Sequence, residues 1–210
     1  MRVRNRTIRN AINRLSLAMG LAPVAYAAVP DDVRVLFHKR DREDFGFLSN
    51  FHEAAIEIDG ERWPTVEHYY QAQKSHDPDY RKAVCQARTP GQAKRLGDVR
   101  IGSQRQATCS WFRTHPETLR PDWDEVKLAV MESAVEAKFR QNEDLARALL
   151  ATGDALLVED SRRDNFWGAG RKGAGQNWLG RVLMDVRERL RADRSSRGWR
   201  KRQHGKANGS

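Results

Sequence analysis

The stretch that decides the fold lies at residues 63–74 and reads WPTVEHYYQAQK. It predicts a helix that begins after Pro64, because Thr65 can cap the first turn, and the helical pattern runs to about His76. Four polar residues within it fall at the spacing i, i+3, i+4 and i+7, which places them on one helical face: Glu67, Tyr70, Gln71 and Lys74.

This polar face has the groups needed to hydrolyse a glycosidic bond. Glu67 and Lys74 are separated by about 10 Å along a helix axis, which leaves room for a sugar. A carboxylate here could act as a general acid or base or stabilise an oxocarbenium-like centre, and a desolvated amine could attack an anomeric carbon. Spacing alone, however, favours an ordinary solvated helix face that carries unlike charges.

Short strands are predicted before this helix. Val33–His38 is an apolar run typical of a strand, and the charged loop Lys39–Asp44 follows it. Ala54–Ile58 and Glu61–Trp63 predict a hairpin, because Asp59-Gly60 between them favours a type I′ turn.

Helices dominate the rest of the chain. Capping residues and apolar periodicity predict them after Asp77-Pro78, from Thr89-Pro90 to Gly97, from Trp123 to Gln141 with Asp122 as the cap, from Asn142 to Leu150, and from Trp178 to Leu190. The expected buried faces comprise Val126, Val130, Met131, Ala134 and Phe139, then Leu179, Val182, Leu183 and Val186. Ala155–Val158 is one more candidate strand. The predicted fold class is α+β: a mainly helical single domain with a small antiparallel sheet.

A glycine-rich segment at residues 160–177 reads DSRRDNFWGAGRKGAGQN. Its glycines permit close backbone approach, and it leads into the last helix, whose amino end favours phosphate. The segment is neither a Walker A motif nor a GxGxxG after a strand, so a flexible turn is an equal alternative. Asp164 and Trp167 lie three residues apart, which suggests a carboxylate beside a stacking ring, although such a tryptophan is more often core.

A third group of interest is the aromatic segment Phe45–Phe51. It could present Ser49 and Asn50 to a heterocycle, although alternating aromatic residues more often indicate packing. Trp123 is interpreted by default as core, and His68 as a satisfied helix histidine, since no second metal ligand lies at useful spacing.

Charge is concentrated at the two ends of the 210-residue chain. Residues 1–30 hold five arginines and no acid, and residues 187–210 hold nine lysines or arginines against two acids, so the chain's net +10 leaves residues 31–186 at about −2. The middle is therefore no basic nucleic-acid clamp, although the ends could add weak, salt-sensitive attraction to nucleic acid.

Cysteine content and hydropathy favour a cytoplasmic protein. Cys85 and Cys109 form no disulfide framework or metal pattern, and no stretch approaches the roughly 20 apolar residues of a membrane span. The basic leader precedes a weakly apolar run, Leu15–Ala28, which resembles a signal peptide only poorly. Export stays a secondary alternative.

Four separate blocks resemble the NADAR superfamily, and within it the YbiA-like branch: Gly46-x-Leu48-Ser49-Asn50-Phe51, the block from Trp63 to Lys74, Asp164-x-x-Trp167-Gly168-x-Gly170, and Gly175-x-Asn177-x-Leu179-Gly180-x-x-Leu183-Met184. The resemblance extends from about Val33 to Leu190. It implies an α+β domain, which we expect at residues 31–190. The basic leader at 1–30, expected to be disordered or weakly helical, and the basic disordered tail at 191–210 lie outside the resemblance.

The resemblance also implies an activity, hydrolysis of an N-glycosidic bond. In the YbiA-like branch the implied substrates are ribosylamino-pyrimidine 5′-phosphates, early intermediates of riboflavin synthesis, which yield the free pyrimidine and ribose 5-phosphate. Other members remove ADP-ribose from guanine in nucleic acid, which is the enzymatic alternative here. A non-catalytic reader of ADP-ribose or nucleotides is the alternative from another class.

The same resemblance assigns roles to individual residues. Glu67 falls on the catalytic glutamate, Lys74 is a candidate to capture ring-opened ribose as an imine, and Asp164 matches an acidic position. The expected substrate-binding set is Ser49, Asn50, Tyr70, Gln71, Trp123, Trp167, Gly168, Gly170 and Asn177, with the Gly168–Asn177 loop holding the 5′-phosphate. No metal or organic cofactor is needed, and the sequence leaves the oligomeric state open.

Overall fold

The computed structural model describes residues 34–38, 45–100 and 108–207. They divide into two compact units. The inserted unit is Gly46–Gln141, and the flanking unit comprises the described residues of Met1–Phe45 and Asn142–Ser210. The predicted leader at 1–30 and the predicted loop Lys39–Asp44 lie outside the described residues.

The inserted unit contains the predicted hairpin. Strands β2 (Ile56–Ile58) and β3 (Glu61–Trp63) pair antiparallel, with Ile56 opposite Trp63 and both side chains buried. Asp59 and Gly60 between them have φ values of 53° and 78°, which are the left-handed angles that a type I′ turn requires at both central positions.

Helix α1 (Val66–Ala72) packs against three other helices of this unit: α2 (Pro78–Cys85), α3 (Pro90–Leu96) and α4 (Trp123–Gln141). Helices α1, α2 and α3 begin at the predicted caps. The side chains of Thr65, Asp77 and Thr89 each accept a hydrogen bond from a backbone amide of the following turn. Because every residue of α1 is buried, the solvated-face interpretation of this helix is wrong.

The flanking unit contains a parallel strand pair. Strand β1 (Arg34–Phe37) pairs with β4 (Leu156–Glu159), with Val35 opposite Leu157. Helix α6 (Trp178–Ala207) packs against β4 and against α5 (Glu143–Leu150). The α+β, mainly helical class is confirmed, but the strands form two separate pairs rather than one antiparallel sheet, because a partner more than 100 residues away cannot be identified from local periodicity.

Three local predictions need correction. Helix α1 ends at Ala72 rather than near His76. Asn142 precedes α5, but its side chain makes no capping hydrogen bond. Helix α6 continues through Ala207, so the expected end of the helix at Leu190 is wrong, whereas the basic tail at 191–210 stays a prediction. The buried apolar positions that the structure describes in α6 stop at Leu190, but the sequence beyond it contains no proline and many good helix formers.

The expected buried faces of α4 and α6 hold with small changes, while the Asp122 carboxylate, predicted to cap α4, accepts hydrogen bonds from Arg120 at 2.7 and 2.8 Å. Residues Met131, Ala134 and Phe139 of α4 are buried, whereas Val126 and Val130 are only half-buried. Across the described part of the chain, no helix combines the length and the apolar character that crossing a membrane requires.

Candidate active site

The amino end of α1 is fixed from two sides. The backbone amide of Glu67 donates to the carbonyl of Asn50 at 3.1 Å, so the preceding loop satisfies one of the helix's free N–H groups. Within the first turn, His68 Nε2 lies 3.0 Å from the carbonyl of Ala87 and must therefore donate to it. Nδ1 is then an acceptor for the Thr65 hydroxyl at 2.8 Å, and burial lowers the pKa of His68. His68 is thus a satisfied structural histidine, as predicted.

Glu67 is a buried carboxylate, only 4% exposed. The side-chain amide of Gln71, one turn later, donates a hydrogen bond of 2.8 Å to its Oε1. Gln71 is held in turn through its backbone, because the buried hydroxyl of Tyr80 donates to its carbonyl at 2.7 Å. A carboxylate in such a place is restricted to one orientation, which a positioned general acid or base needs.

Lys74 lies just beyond α1, after the C-cap residue Gln73. The prediction that Lys74 shares a helical face with Glu67 is therefore corrected, because the helix ends before Lys74. The backbone amide of Lys74 donates instead to the carbonyl of Gln71, which closes a turn. Its amine nevertheless returns to the same buried region: Nζ lies 5.5 Å from the ring centre of Tyr70 and 5.6 Å from that of Trp123.

The surroundings of Lys74 lower the pKa of its amine. The side chain is 7% exposed, and Nζ donates a hydrogen bond of 2.7 Å to the carbonyl of Gly97. Burial lowers its pKa to about 8, although the negative charge of Glu67 acts in the opposite direction. With a pKa of about 8, roughly a tenth of the lysine is the nucleophilic neutral amine at pH 7, far more than for a lysine with the ordinary pKa.

Ser49 and Asn50 belong to the loop that follows the 3-10 turn Gly46–Leu48. Both are buried, and Asn50 Nδ2 donates to the sulfur of Met131 at 3.3 Å. The Ser49 hydroxyl accepts from the amide of Phe51 at 3.2 Å. The structure therefore places this loop beside Glu67, through the Asn50 carbonyl, but the two side chains also have roles inside the protein.

Tyr70 and Trp123 form an aromatic pair, with ring centres 5.0 Å apart at an angle of 60°. Both are buried core residues as well as neighbours of Lys74. Within the inserted unit the structure thus gathers seven of the predicted residues around one region: Ser49, Asn50, Glu67, Tyr70, Gln71, Lys74 and Trp123.

Two residues of this region were missed as functional candidates. Gly97 was predicted only as a helix end. Lys138 is 1% exposed, and its Nζ donates to the carbonyls of Phe47 at 2.6 Å and Ser49 at 2.9 Å. A usable signal existed for Lys138, because it follows Met131, Ala134 and Val135 at helical spacing and so interrupts an apolar face.

The other predicted residues belong to the flanking unit. The Asp164 carboxylate accepts backbone hydrogen bonds from Phe166 at 3.0 Å and Trp167 at 2.8 Å, which is the geometry of an Asx turn. The Trp167 ring lies edge-on to Phe166, with ring centres 4.9 Å apart. Both predicted residues are half-buried.

The glycine-rich loop binds mainly to itself. The amide of Asn177 and the first two amides of α6 donate to carbonyls of the same loop: Asn177 to Gly168, Trp178 to Phe166 and Leu179 to Trp167. These three donors already have partners inside the protein, and the phosphate site expected at the Gly168–Asn177 loop stays a prediction. A Cβ added to Gly168 would lie 2.8 Å from the Ser161 Cβ, and one added to Gly170 would overlap Asn165, so both glycines serve close packing.

Asn177 joins this loop to the strand pair. It has a φ of 54°, which asparagine tolerates better than most residues. Its side chain donates to the Leu157 carbonyl at 2.9 Å and accepts from the Glu159 amide at 3.0 Å. Its predicted contact with substrate would have to compete with two hydrogen bonds to β4.

No group of three or more potential His, Cys, Asp or Glu metal ligands occurs among residues 34–38, 45–100 and 108–207. The described site contributes the carboxylate of Glu67, the amide of Gln71 and the amine of Lys74.

Comparisons with known proteins place this geometry in a family. Residues 36–191 match the NADAR domain family. N-glycosidase YbiA of Escherichia coli (strain K12) is 41% identical over 148 residues, which are 70% of this chain and 83% of that protein. Riboflavin biosynthesis protein VVA0006 of Vibrio vulnificus (strain YJ016) is 42% identical over 156 residues, 74% of this chain but only 38% of that protein.

A solved structure agrees with these matches. The NMR structure of the E. coli protein YbiA has a TM-score of 0.67 to this chain at 37% sequence identity, covering 81% of this chain and 92% of that one. The chain therefore belongs to the NADAR family, in its YbiA-like branch. The resemblance inferred from the four sequence blocks is confirmed.

Proposed function

We propose that the chain hydrolyses the C–N bond of ribosylamino-pyrimidine 5′-phosphates, early intermediates of the riboflavin pathway, to the free pyrimidine and ribose 5-phosphate. The chain is a hydrolase acting on N-glycosyl compounds, in keeping with relatives named N-glycosidase and riboflavin biosynthesis protein. The observation that carries the proposal is the buried Glu67 carboxylate, fixed by Gln71 and electrostatically coupled to the buried amine of Lys74.

The proposed reaction adds one water across the bond between C1′ of the ribose and the pyrimidine amine. Glu67 supplies the proton that the departing nitrogen needs and takes one back from the attacking water, so that the carboxyl group ends as it began. An oxocarbenium-like C1′ forms as the bond breaks, and the nearby carboxylate charge stabilises it.

Lys74 offers a covalent course for the same net reaction. Its neutral amine attacks C1′, the sugar ring opens, and the pyrimidine amine leaves as an imine forms between Nζ and C1′. Water then hydrolyses that imine, which releases ribose 5-phosphate and restores the lysine. The pKa of about 8 supports this role, since an ammonium ion has no lone pair for the attack.

The remaining residue assignments are proposals of the same kind. Ser49, Asn50, Tyr70, Gln71 and Trp123 would line the substrate site, and Trp123 would stack on the pyrimidine. Asp164, Trp167, Gly168, Gly170 and Asn177 keep the roles that the family resemblance gives them as proposals only. No metal or organic cofactor is required, so we expect full activity in EDTA.

We place the catalytic domain at residues 31–190, between the basic segments 1–30 and 191–210, and the family match at 36–191 supports these limits. A substrate from riboflavin synthesis also favours a cytoplasmic location, which cell fractionation would test.

A two-substrate assay tests the proposed function. Purified protein, with and without residues 191–210, is given a ribosylamino-pyrimidine 5′-phosphate or DNA carrying ADP-ribosylated guanine. We expect pyrimidine and ribose 5-phosphate from the first substrate with either form of the protein. Release of intact guanine DNA from the second substrate, with no turnover of the first, would establish the alternative of an ADP-ribosyl-guanine hydrolase. The basic sequence from Arg187 onward is the feature that favours that alternative.

A further inference from the structure

Gly97 is the buried residue that closes α3. Its amide donates to the carbonyl of Ala93 at 3.1 Å, as the last turn of the helix requires. Its φ of −87° is an ordinary value for any amino acid. The backbone therefore does not demand glycine here, and the reason for a glycine has to lie in the space around its Cα.

That space is filled by the side chain of Gln71. A Cβ built on Gly97 would overlap the Oε1 of Gln71 and would stand only 3.0 Å from its Cδ and from the Tyr80 hydroxyl. Gln71 cannot easily withdraw, because Tyr80 holds its carbonyl at 2.7 Å and its Nε2 is bound to Glu67. Among the described residues, Oε1 of Gln71 has no hydrogen-bond partner, so only this steric fit fixes that end of the amide.

The carbonyl of Gly97 acts on a different group. It accepts the hydrogen bond from Nζ of Lys74 at 2.7 Å. One residue therefore contacts Gln71, which holds the Glu67 carboxylate, and also contacts Lys74 itself. The separation between the carboxylate and the amine depends on how closely the end of α3 approaches α1.

We propose that Gly97 is a positioning residue: its lack of a side chain gives the Gln71 amide the place from which it orients Glu67, while its carbonyl orients Lys74. This inference rests on the proposed function, in which Glu67 and Lys74 are the reacting groups. It gives α3 a part in the site although none of its side chains need touch the substrate.

A double-mutant cycle tests the inference. Gly97→Ala should lower kcat about tenfold or more and change KM by less than about threefold, because it misplaces the reacting groups rather than removing contacts to substrate. Gln71→Ala should lower kcat by a similar factor. If Gly97 acts through Gln71, adding Gly97→Ala to Gln71→Ala should cost little more, since the shortened side chain removes the overlap and leaves only the Tyr80 hydroxyl, at 3.0 Å, to move slightly.

Gly91→Ala is the matched control on the same helix. A Cβ there would lie 3.8 Å or more from its neighbours, which is ordinary contact distance, so kcat and Tm should stay near the wild-type values. The inference would be overturned if the loss of kcat in the double variant equalled the product of the losses in the two single variants. A Gly97→Ala enzyme with wild-type kcat would overturn it as well.

Folding provides an independent readout. If Gly97→Ala alone fails to fold, the double variant with Gln71→Ala should fold, and its failure would count against the steric link. In folded Gly97→Ala protein, NMR should detect shifted signals for the Gln71 side-chain amide and the Lys74 Cε, whereas unchanged signals would contradict the link. An inactive wild type would refute the proposed function alone, because these signals report on Gly97 without any substrate.

Discussion

Lys138 holds Ser49 from 89 positions along the chain, through a hydrogen bond of 2.9 Å from its buried Nζ to the Ser49 carbonyl. A second bond of 2.6 Å reaches the Phe47 carbonyl. The loop fixed in this way supplies the Asn50 carbonyl that binds the amide of Glu67. A lysine on α4 thus determines where the first turn of α1 begins.

Replacing Lys138 by methionine should loosen this loop. Each of the two carbonyls loses its hydrogen-bond donor, at a cost of about 1–3 kcal/mol. Because the protein no longer has to bury an amine, part of this cost is offset. We therefore expect the free energy of unfolding to fall by roughly 2 kcal/mol. Urea denaturation measures this, and amide exchange should accelerate at residues 47–51. Lys127→Met on the same helix removes a surface ion pair with the exposed Asp124 and should change little. An equal effect of both substitutions would contradict the assigned role.

The stability contribution of Lys138 should depend on pH. Burial lowers its pKa from an ordinary 10.5 to about 7. Between about pH 7 and 10.5 the unfolded chain therefore holds a proton that the folded chain has released, so stability should rise with pH across this window. The neutral amine keeps two N–H groups, enough for both carbonyls. Tm is measured at pH 6.5 and at pH 9 in the wild type and in Lys138→Met. Between these two pH values, Tm should increase more, or decrease less, in the wild type than in the variant.

Glu67→Gln should abolish most of the activity while preserving the fold. The substitution keeps the size of the side chain but removes the proton transfer, which contributes about 10²–10⁴-fold to the rate. We expect kcat to fall by at least about 100-fold with Tm nearly unchanged. The exposed Glu57 on β2 provides the control, since Glu57→Gln should leave both values as they are.

The same variant tests the non-catalytic alternative. A reader of ADP-ribose or nucleotides would bind its ligand equally well with Gln at position 67, and the wild type would never form product. Hydrolysis by the wild type that disappears in folded Glu67→Gln protein excludes a pure reader.

Lys74 should form a borohydride-reducible adduct with ribose 5-phosphate. The labelling rate should increase from pH 6.5 to 9, because the fraction of neutral amine rises as the pH passes the pKa of about 8. Mass spectrometry of the reduced adduct locates the modified residue. Lys82→Ala, at an exposed position on α2, should label normally, whereas Lys74→Ala should not. Unchanged labelling of Lys74→Ala would remove Lys74 from the mechanism.

Asn177→Asp should weaken the attachment of α6 to β4. Aspartate also tolerates the positive φ, but when ionised it cannot donate to the Leu157 carbonyl. We expect a loss of about 1–3 kcal/mol in the free energy of unfolding with kcat per folded molecule nearly unchanged. Gln176→Ala next to it, at an exposed position, should have a smaller effect. A rise in KM without loss of stability would instead support the predicted contact with substrate.

The sequence predicted elements better than it predicted partners. Thr65, Asp77 and Thr89 located their helices because capping depends on residues within one turn. The pairing of β1 with β4 and the burial of Lys138 depend on residues far away in the chain, and no local pattern contains that information. Glu67 and Lys74 could be selected only through the resemblance, since their spacing alone favoured a solvated face that the buried α1 excludes.

The site shows the same division. Residue types at 49, 50, 67, 70, 71, 74 and 123 were identified from motifs, and the structure brings them into one region. The sequence could not indicate that Gln71 binds Glu67 rather than facing outward, because the tight approach of Gly97 to α1 decides this. The sequence also could not indicate that the amides of Asn177, Trp178 and Leu179 bind carbonyls of their own loop, because those contacts depend on how the loop folds back on itself.

The pairing of β1 with β4 has a consequence for how the protein is made. Ribosomal synthesis releases β1 first, but its partner strand is translated only after the whole inserted unit, Gly46–Gln141, has been completed. The inserted unit has its own hairpin and a central helix, so it can become compact during translation while β1 is still unpaired. An early nascent chain therefore exposes an unpaired strand edge, which is the part of this protein most open to wrong pairing before synthesis reaches residue 159.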